Sequence, residues 1–150
     1  MLGLLRGAGK KLDGAVSGLC AHGYAYGLLQ HGLIREFLVF YYAYMAHMYT
    51  RGTWTVTECR NTDPSKPSAP FCAPAQLTIP ILTKWMLVFE DPFSPTLWLG
   101  KSIPRSWLRD GKTVAVKGAP TRFGTLSYEI SSKVHRGRIN IELHLPEEGA

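Results

Sequence analysis

Cysteine is scarce in this chain: three in 150 residues, at Cys20, Cys59 and Cys72, with no Cys-x-x-Cys pair. An odd, sparse set argues against a disulfide framework. At most it leaves a Cys59–Cys72 bridge, formed only in an oxidising compartment. Acidic residues are also few, 11 against 17 Lys and Arg, for a net charge of +6. The excess could favour an anionic partner. The basic residues are scattered, however, with no stripe interleaved with aromatics, so they read as a solvated surface and no nucleic-acid partner is expected. A long apolar run is missing too. Residues 37 to 50 carry no Asp, Glu, Lys or Arg, but a membrane span needs about twenty apolar residues. Tyr41, Tyr42, Tyr44, His47 and Tyr49 are poor lipid-facing choices, so this stretch is expected to be a buried helix and no membrane partner is expected. The opening "MLGLLRGAGKKL" has too short an apolar run, with its basic residues after it, and does not read as a signal peptide. "GLLRGAG" lacks the Lys-Ser/Thr of a phosphate loop and "TLSYE" lacks the glycines of a nucleophile elbow. There is no internal repeat.

What is present is an ordinary globular balance, 45% hydrophobic and 19% charged, which argues against global disorder. Three zones follow one another. The first is helical. Ala15 to Gln30 has helical spacing at Val16, Leu19, Gly23, Tyr26 and Leu29, with Gly32 able to take the left-handed turn that ends a helix. Leu33 to Tyr49 is the second helix, and the two are expected to form an αα-hairpin. A loop follows, from Arg51 to about Ala75, in which the three prolines of "NTDPSKPSAP" exclude helix and central strand. A third helix is expected from Ile79 to Glu90, with Thr78 as its cap and Pro92 just past its end.

The last zone is β. "TVAVK", "FGTLSYEI" and "RINIELHL" alternate in period two. In the last of these Ile139, Ile141, Leu143 and Leu145 face one side, and Asn140, Glu142 and His144 the other. "LWLGKSI" is a weaker strand, "PRSWLRDG" a short helix or turn, and "VHRGR" a hairpin turn around Gly137. The expected fold class is therefore α+β: a helical segment over residues 1–92, with its proline-rich loop at 61–75, then a small, mostly antiparallel β domain over 93–150.

The second helix sets a packing problem. Leu33, Phe37, Tyr41, Tyr44 and Met48 line one face, and Ile34, Leu38, Met45 and Tyr49 another. A helix that is apolar all round is expected to be buried on every side. Each large side chain left in water forgoes roughly 1.5–3 kcal/mol. One helical partner, one short helix and a small sheet cannot surround it. More helices are therefore expected around this piece, from a missing part of the chain or from another subunit.

The phrases "HGLIREFLVFYYAYMAHMYTRGTWTVTE", "FCAPAQLTIPILTKWMLVFED" and "IPRSWLRDGKTVAVKGAPTRFGTLSYEI" together resemble the C-terminal end of a six-hairpin glycosidase. In that superfamily six αα-hairpins form a helical toroid, and a C-terminal β domain often packs against it, as in α-L-rhamnosidase-like enzymes. The resemblance spans about residues 20 to 146. It implies that this chain supplies the last hairpin or two and the β cap of such a protein, with the N-terminal toroid absent or carried by another subunit. It also implies a carbohydrate partner.

Glycoside hydrolysis generally uses two carboxylates flanking the scissile bond. The helical zone and its loop offer Glu36, Glu58 and Asp63, of which Glu58 is the best catalytic candidate. Trp54 offers a flat apolar surface on which a sugar can stack. Arg51 could hold a hydroxyl or lower a carboxylate's pKa, and His47, one turn before the helix ends, points toward the same loop. Each has a structural alternative: Glu58 paired with Arg51 or Arg60 at the surface, His47 hydrogen-bonded in a core, Trp54 plugging a rim. No second carboxylate is fixed opposite Glu58, so the chain alone is expected to bind sugars weakly at best and to hydrolyse nothing. Glu58, Cys59 and Cys72 faintly resemble the zinc site of the related β-L-arabinofuranosidases, but the ligand count is short for zinc and buried thiols are the preferred reading. No metal and no cofactor are expected. The alternative to an enzyme part is a non-catalytic structural or interaction module, a helical hairpin packed on a β-sheet.

Overall fold

A computed structural model of the chain describes residues 15–61, 63, 65, 66 and 71–145. The expectations for residues 1 to 12 and for most of the proline-rich run lie outside them. The described chain is α+β. Its elements are β1 (Ala15–Ser17), α1 (Ala21–Gln30), α2 (Ile34–Met48), β2 (Cys59–Asn61), α3 (Ala73–Gln76), α4 (Thr78–Leu87), β3 (Val88–Glu90), β4 (Leu97–Leu99), β5 (Thr113–Thr121), β6 (Gly124–Lys133) and β7 (Arg138–His144), with short 3₁₀ turns at Arg105–Leu108 and Val134–Arg136. Two compact units divide between Trp85 and Met86.

The first unit is built on the α1–α2 hairpin. Gly32 ends α1 at φ +69°. The N–H of Leu33 reaches the Leu28 carbonyl at 2.8 Å and that of Gly32 the Leu29 carbonyl at 3.1 Å, so the last turn's carbonyls are satisfied by a glycine-centred stop. The sequence marked this stop correctly. It did not mark the start. The expected helix from Ala15 is a strand until Ser17, paired antiparallel with Cys59–Asn61. Gly18 explains the change. Its N–H and that of Leu19 both bond the Glu58 carbonyl, and a Cβ at Gly18 would meet the Thr57 carbonyl oxygen at 2.5 Å. The backbone passes too close to the downstream loop to be coiled.

Phe37, Phe40, Tyr44 and Met48 of α2 are fully buried. The Tyr44 hydroxyl shares its proton between the carbonyls of Gly18 (3.0 Å) and Ala75 (3.1 Å), which ties the β1 end, α2 and α3 together. Burial pushes its pKa up to about 12. Tyr41 meets Thr83 of α4 at 2.9 Å, and Tyr26 packs edge-on against Trp85. These partners cover one side of α2 only. Within this chain the helix is not enclosed, as expected of one that its own neighbours cannot surround: Arg35, Val39, Tyr42, Ala46 and His47 are exposed.

In the second unit the expected helix to Glu90 stops at Leu87. Val88–Glu90 instead pairs antiparallel with Leu97–Leu99, because the carbonyl of Leu87 accepts from Gly100 at 2.7 Å and that of Met86 from Ser102. The weak strand from Leu97 ends at Leu99, where Gly100 turns the chain at φ +62°. β5, β6 and β7 form a separate three-stranded antiparallel sheet in that order. Its core gathers Val88, Val114, Ala119, Leu126, Tyr128 and Ile130, with Trp107, Leu99 and Ile103 packed against it. The Tyr128 hydroxyl donates to the Leu87 carbonyl at 2.9 Å. β7 departs from its pattern's promise. All seven of its residues are exposed, the isoleucines and Leu143 included.

Candidate functional site

The C-terminal turn of α2 runs into a tight loop that closes back on itself. Tyr49 leaves the helix in extended backbone and bridges Val56. Between them the Thr50 N–H donates to the Thr55 carbonyl and the Trp54 N–H to that of Thr50. Three threonine hydroxyls interlock inside the loop, Thr50 with Thr53 at 2.6 Å, Thr50 with Thr55 at 2.7 Å, and Thr53 with Thr55 at 3.1 Å. Gln76, at the end of α3, clamps the loop from outside. Its amide donates to the Trp54 carbonyl at 2.7 Å and its carbonyl accepts from the Val56 N–H at 3.1 Å. Tyr49 donates to the Gln76 carbonyl at 2.9 Å. Burial raises the Tyr49 pKa, which keeps this donor protonated.

All of this holds one residue in an unfavourable state. Trp54 is the sole non-glycine residue with positive φ among those described, at +52°. The left-handed region costs an ordinary side chain about 1–2 kcal/mol, and such strain persists only where the surroundings over-determine it. Its indole is not spent on a core: Trp54 is 58% exposed and tilts against Tyr49 with ring centres 5.8 Å apart. A groove of about 580 Å³ lies beside it, lined by Tyr42, Met45, Ala46, Tyr49, Thr50, Arg51, Gly52 and Trp54. The open stripe of α2 forms one wall and the clamped loop the other.

Of the four residues singled out in the sequence, the structure brings Arg51 and Trp54 together on this groove. His47 is exposed on the last turn of α2 and Glu58 is exposed beyond the loop, and neither lines it. Glu58 uses its backbone carbonyl, which accepts from Gly18 and Leu19. Asp63 is exposed and accepts from the N–H and hydroxyl of Ser65 on its own loop, which lower its pKa. Among the described residues the groove is lined by a guanidinium, aromatic faces and hydroxyls, and by no carboxylate. Sequence reasoning missed Tyr42, Met45 and Thr50 as lining residues and Gln76 as the clamp. The 42/45/46/49 spacing is a helical stripe that could have been found. Gln76 had no signal.

The cysteines are free thiols. Burial, and next the Glu58 carboxylate, push the Cys59 thiol up. Among the described residues no three His, Cys, Asp or Glu side chains are grouped closely enough to share a metal, Glu58, Cys59 and Cys72 included. No described helix is long and apolar enough to cross a membrane. No protein-family model, no curated protein and no solved structure matches the chain.

Proposed function

We propose that the first unit is a carbohydrate-binding element, one wall of a larger cleft of the glycoside hydrolase kind, and that the chain does not hydrolyse glycosides by itself. The observation that carries this reading is the strained, outward-held indole of Trp54 beside Arg51 on an open groove. A rigid aromatic face stacks on the apolar face of a sugar ring. Arg51 offers donors for its hydroxyls, the Tyr49 oxygen can still accept while it donates to Gln76, and a loop fixed in advance loses little entropy on binding. Glu58, the catalytic candidate, stands outside the groove lining, and hydrolysis generally uses two carboxylates; this supports the non-catalytic half. The test is titration calorimetry with neutral oligosaccharides, rhamnose-terminated ones included. Binding weakened at least about tenfold by Trp54→Asn supports the reading. No binding to any of them overturns it, as does turnover of aryl glycosides that Glu58→Gln abolishes.

A second reading is an interaction module, favoured by the exposed stripe of Val39, Tyr42 and Ala46 on α2. In that reading the groove receives a further helix instead of a sugar. Val39→Lys separates the two, because it lies outside the groove lining and spares sugar binding while blocking a helix laid along the stripe.

A further inference from the structure

The two edges of the three-stranded sheet are unlike. β5 is blunted in several ways that natural edges use against pairing. Its register shifts between Val116 and Ala119, Gly118 sits at φ +60°, Pro120 removes a donor, and Lys117 is exposed. β7 has exposed charges but no bulge, glycine or proline. Its ladder with β6 runs unbroken from Ser127↔His144 to Lys133↔Arg138, and its outer edge has no partner strand among the described residues.

The register also sets like charges against each other. On the polar face Lys133 lies opposite Arg138, and Glu129 opposite Glu142. Like charges directly opposed destabilise a sheet. Among the described residues the carboxylate of Glu142 meets His144 Nε2 at 3.4 Å in the same strand, and both groups are largely exposed. On the other face Ile141 continues the row of buried Ile130, and Leu143 that of buried Tyr128. Yet Ile139 is 50% and Ile141 64% exposed.

We propose that β7 pairs antiparallel with β7 of a second copy, about a twofold axis at Asn140. In that register Arg138 lies opposite Glu142 of the second copy, twice, and Ile139 opposite its Ile141, twice. Each unfavourable doublet then meets its opposite: Glu129 and Glu142 are followed across the axis by Arg138 and Lys133. The paired isoleucines form a joint apolar strip, and two three-stranded sheets become one continuous sheet. Because β5 is blunted, the pairing closes at two copies and does not propagate.

The test is sedimentation equilibrium of the full chain across the micromolar range, for the native sequence, Glu142→Arg, Arg138→Glu and the double exchange. A native dimer is expected. Either single change opposes like charges twice at the interface and weakens association at least about tenfold. The double exchange restores it. Glu142→Arg relieves the Glu129–Glu142 opposition within one copy, so the fold is not threatened, and far-UV circular dichroism verifies that. A native chain that stays monomeric, higher assemblies in place of a dimer, or single variants that associate as tightly as the native chain would each overturn the proposal.

Discussion

The side-chain amide of Gln76 donates to the main-chain carbonyl of Trp54 at 2.7 Å, joining the end of α3 to the loop that follows α2. The same side chain accepts from Val56 two residues on. One residue thus satisfies both polar groups of a loop segment that no regular element pairs. Gln76→Leu removes both bonds and leaves the N–H of the buried Val56 without its acceptor. We expect a loss of about 1–3 kcal/mol, at the usual net worth of such bonds, read as a lower urea midpoint. Sugar binding should fall with it, because Trp54 loses its fixed position. An unchanged midpoint would show that the clamp is incidental.

Trp54 itself allows a sharper contrast. Asn tolerates the left-handed region and a β-branched side chain does not. Trp54→Asn is expected to stay within about 1 kcal/mol of the native stability, since the indole is mostly exposed. Trp54→Val should be less stable than Trp54→Asn by about 1 kcal/mol or more. Both lose the aromatic face. If the two variants unfold at the same denaturant concentration, the backbone there is not strained, and the strongest support for a functional loop is gone.

Gly18 is a matter of space instead. A Cβ there would lie 2.5 Å from the Thr57 carbonyl oxygen, 3.0 Å from the Met48 methyl and 3.1 Å from the Glu58 carbonyl oxygen. Two of these atoms are backbone and cannot swing away. Gly18→Ala should cost about 1–3 kcal/mol, the range of overpacked cores, and should loosen the β1–β2 ladder first. Gly23, where an added Cβ would meet nothing within 4 Å, serves as the control: Gly23→Ala on α1 should stabilise by up to about 1 kcal/mol. Thermal unfolding of the pair checks both signs.

These sites mark how far the sequence could be read. The α1–α2 hairpin was legible because Gly32 and the helical spacing of Phe37, Tyr41, Tyr44 and Met48 are local signals. So were β5, β6 and β7, whose alternation runs long enough to show a period of two, and the turn at Gly137, which takes φ +63°. β1 was not legible. Three residues show no period, and Ala15 to Ser17 become a strand only through Cys59 to Asn61, far along the chain. Val88 to Glu90 fit a helix as well as a strand, and pairing with Leu97 to Leu99 decided the matter. At the site, Trp54 and Arg51 stood out by chemistry. Glu58 and His47 stood out equally, and only geometry shows that they do not line the same groove. The 42/45/46/49 spacing behind the wall of Tyr42 and Met45 is local and could have been read, but which of the apolar faces of α2 its neighbours leave open is decided by tertiary packing.

Alkaline pH offers a separate probe of each unit. Tyr44 in the first and Tyr128 in the second have pKa values pushed up to about 12, in both cases chiefly by burial. A phenol is neutral below its pKa, and the ordinary value is 10.0. The folded chain therefore holds these protons more tightly than the unfolded chain does. Their contribution to stability is fully present below pH 10 and is lost as pH rises from 10 toward 12. The urea midpoint should fall steeply across that window and stay nearly flat, as far as these two groups go, between pH 8 and 10. Tyr44→Phe should lower stability at pH 8 by about 1 kcal/mol through its lost hydroxyl bonds, while making the first unit's alkaline loss shallower. Tyr128→Phe should do the same in the second unit, where the hydroxyl serves the Leu87 carbonyl. If a variant's stability falls between pH 10 and 12 as steeply as the native chain's, the buried phenol it lacks is not what fails at high pH.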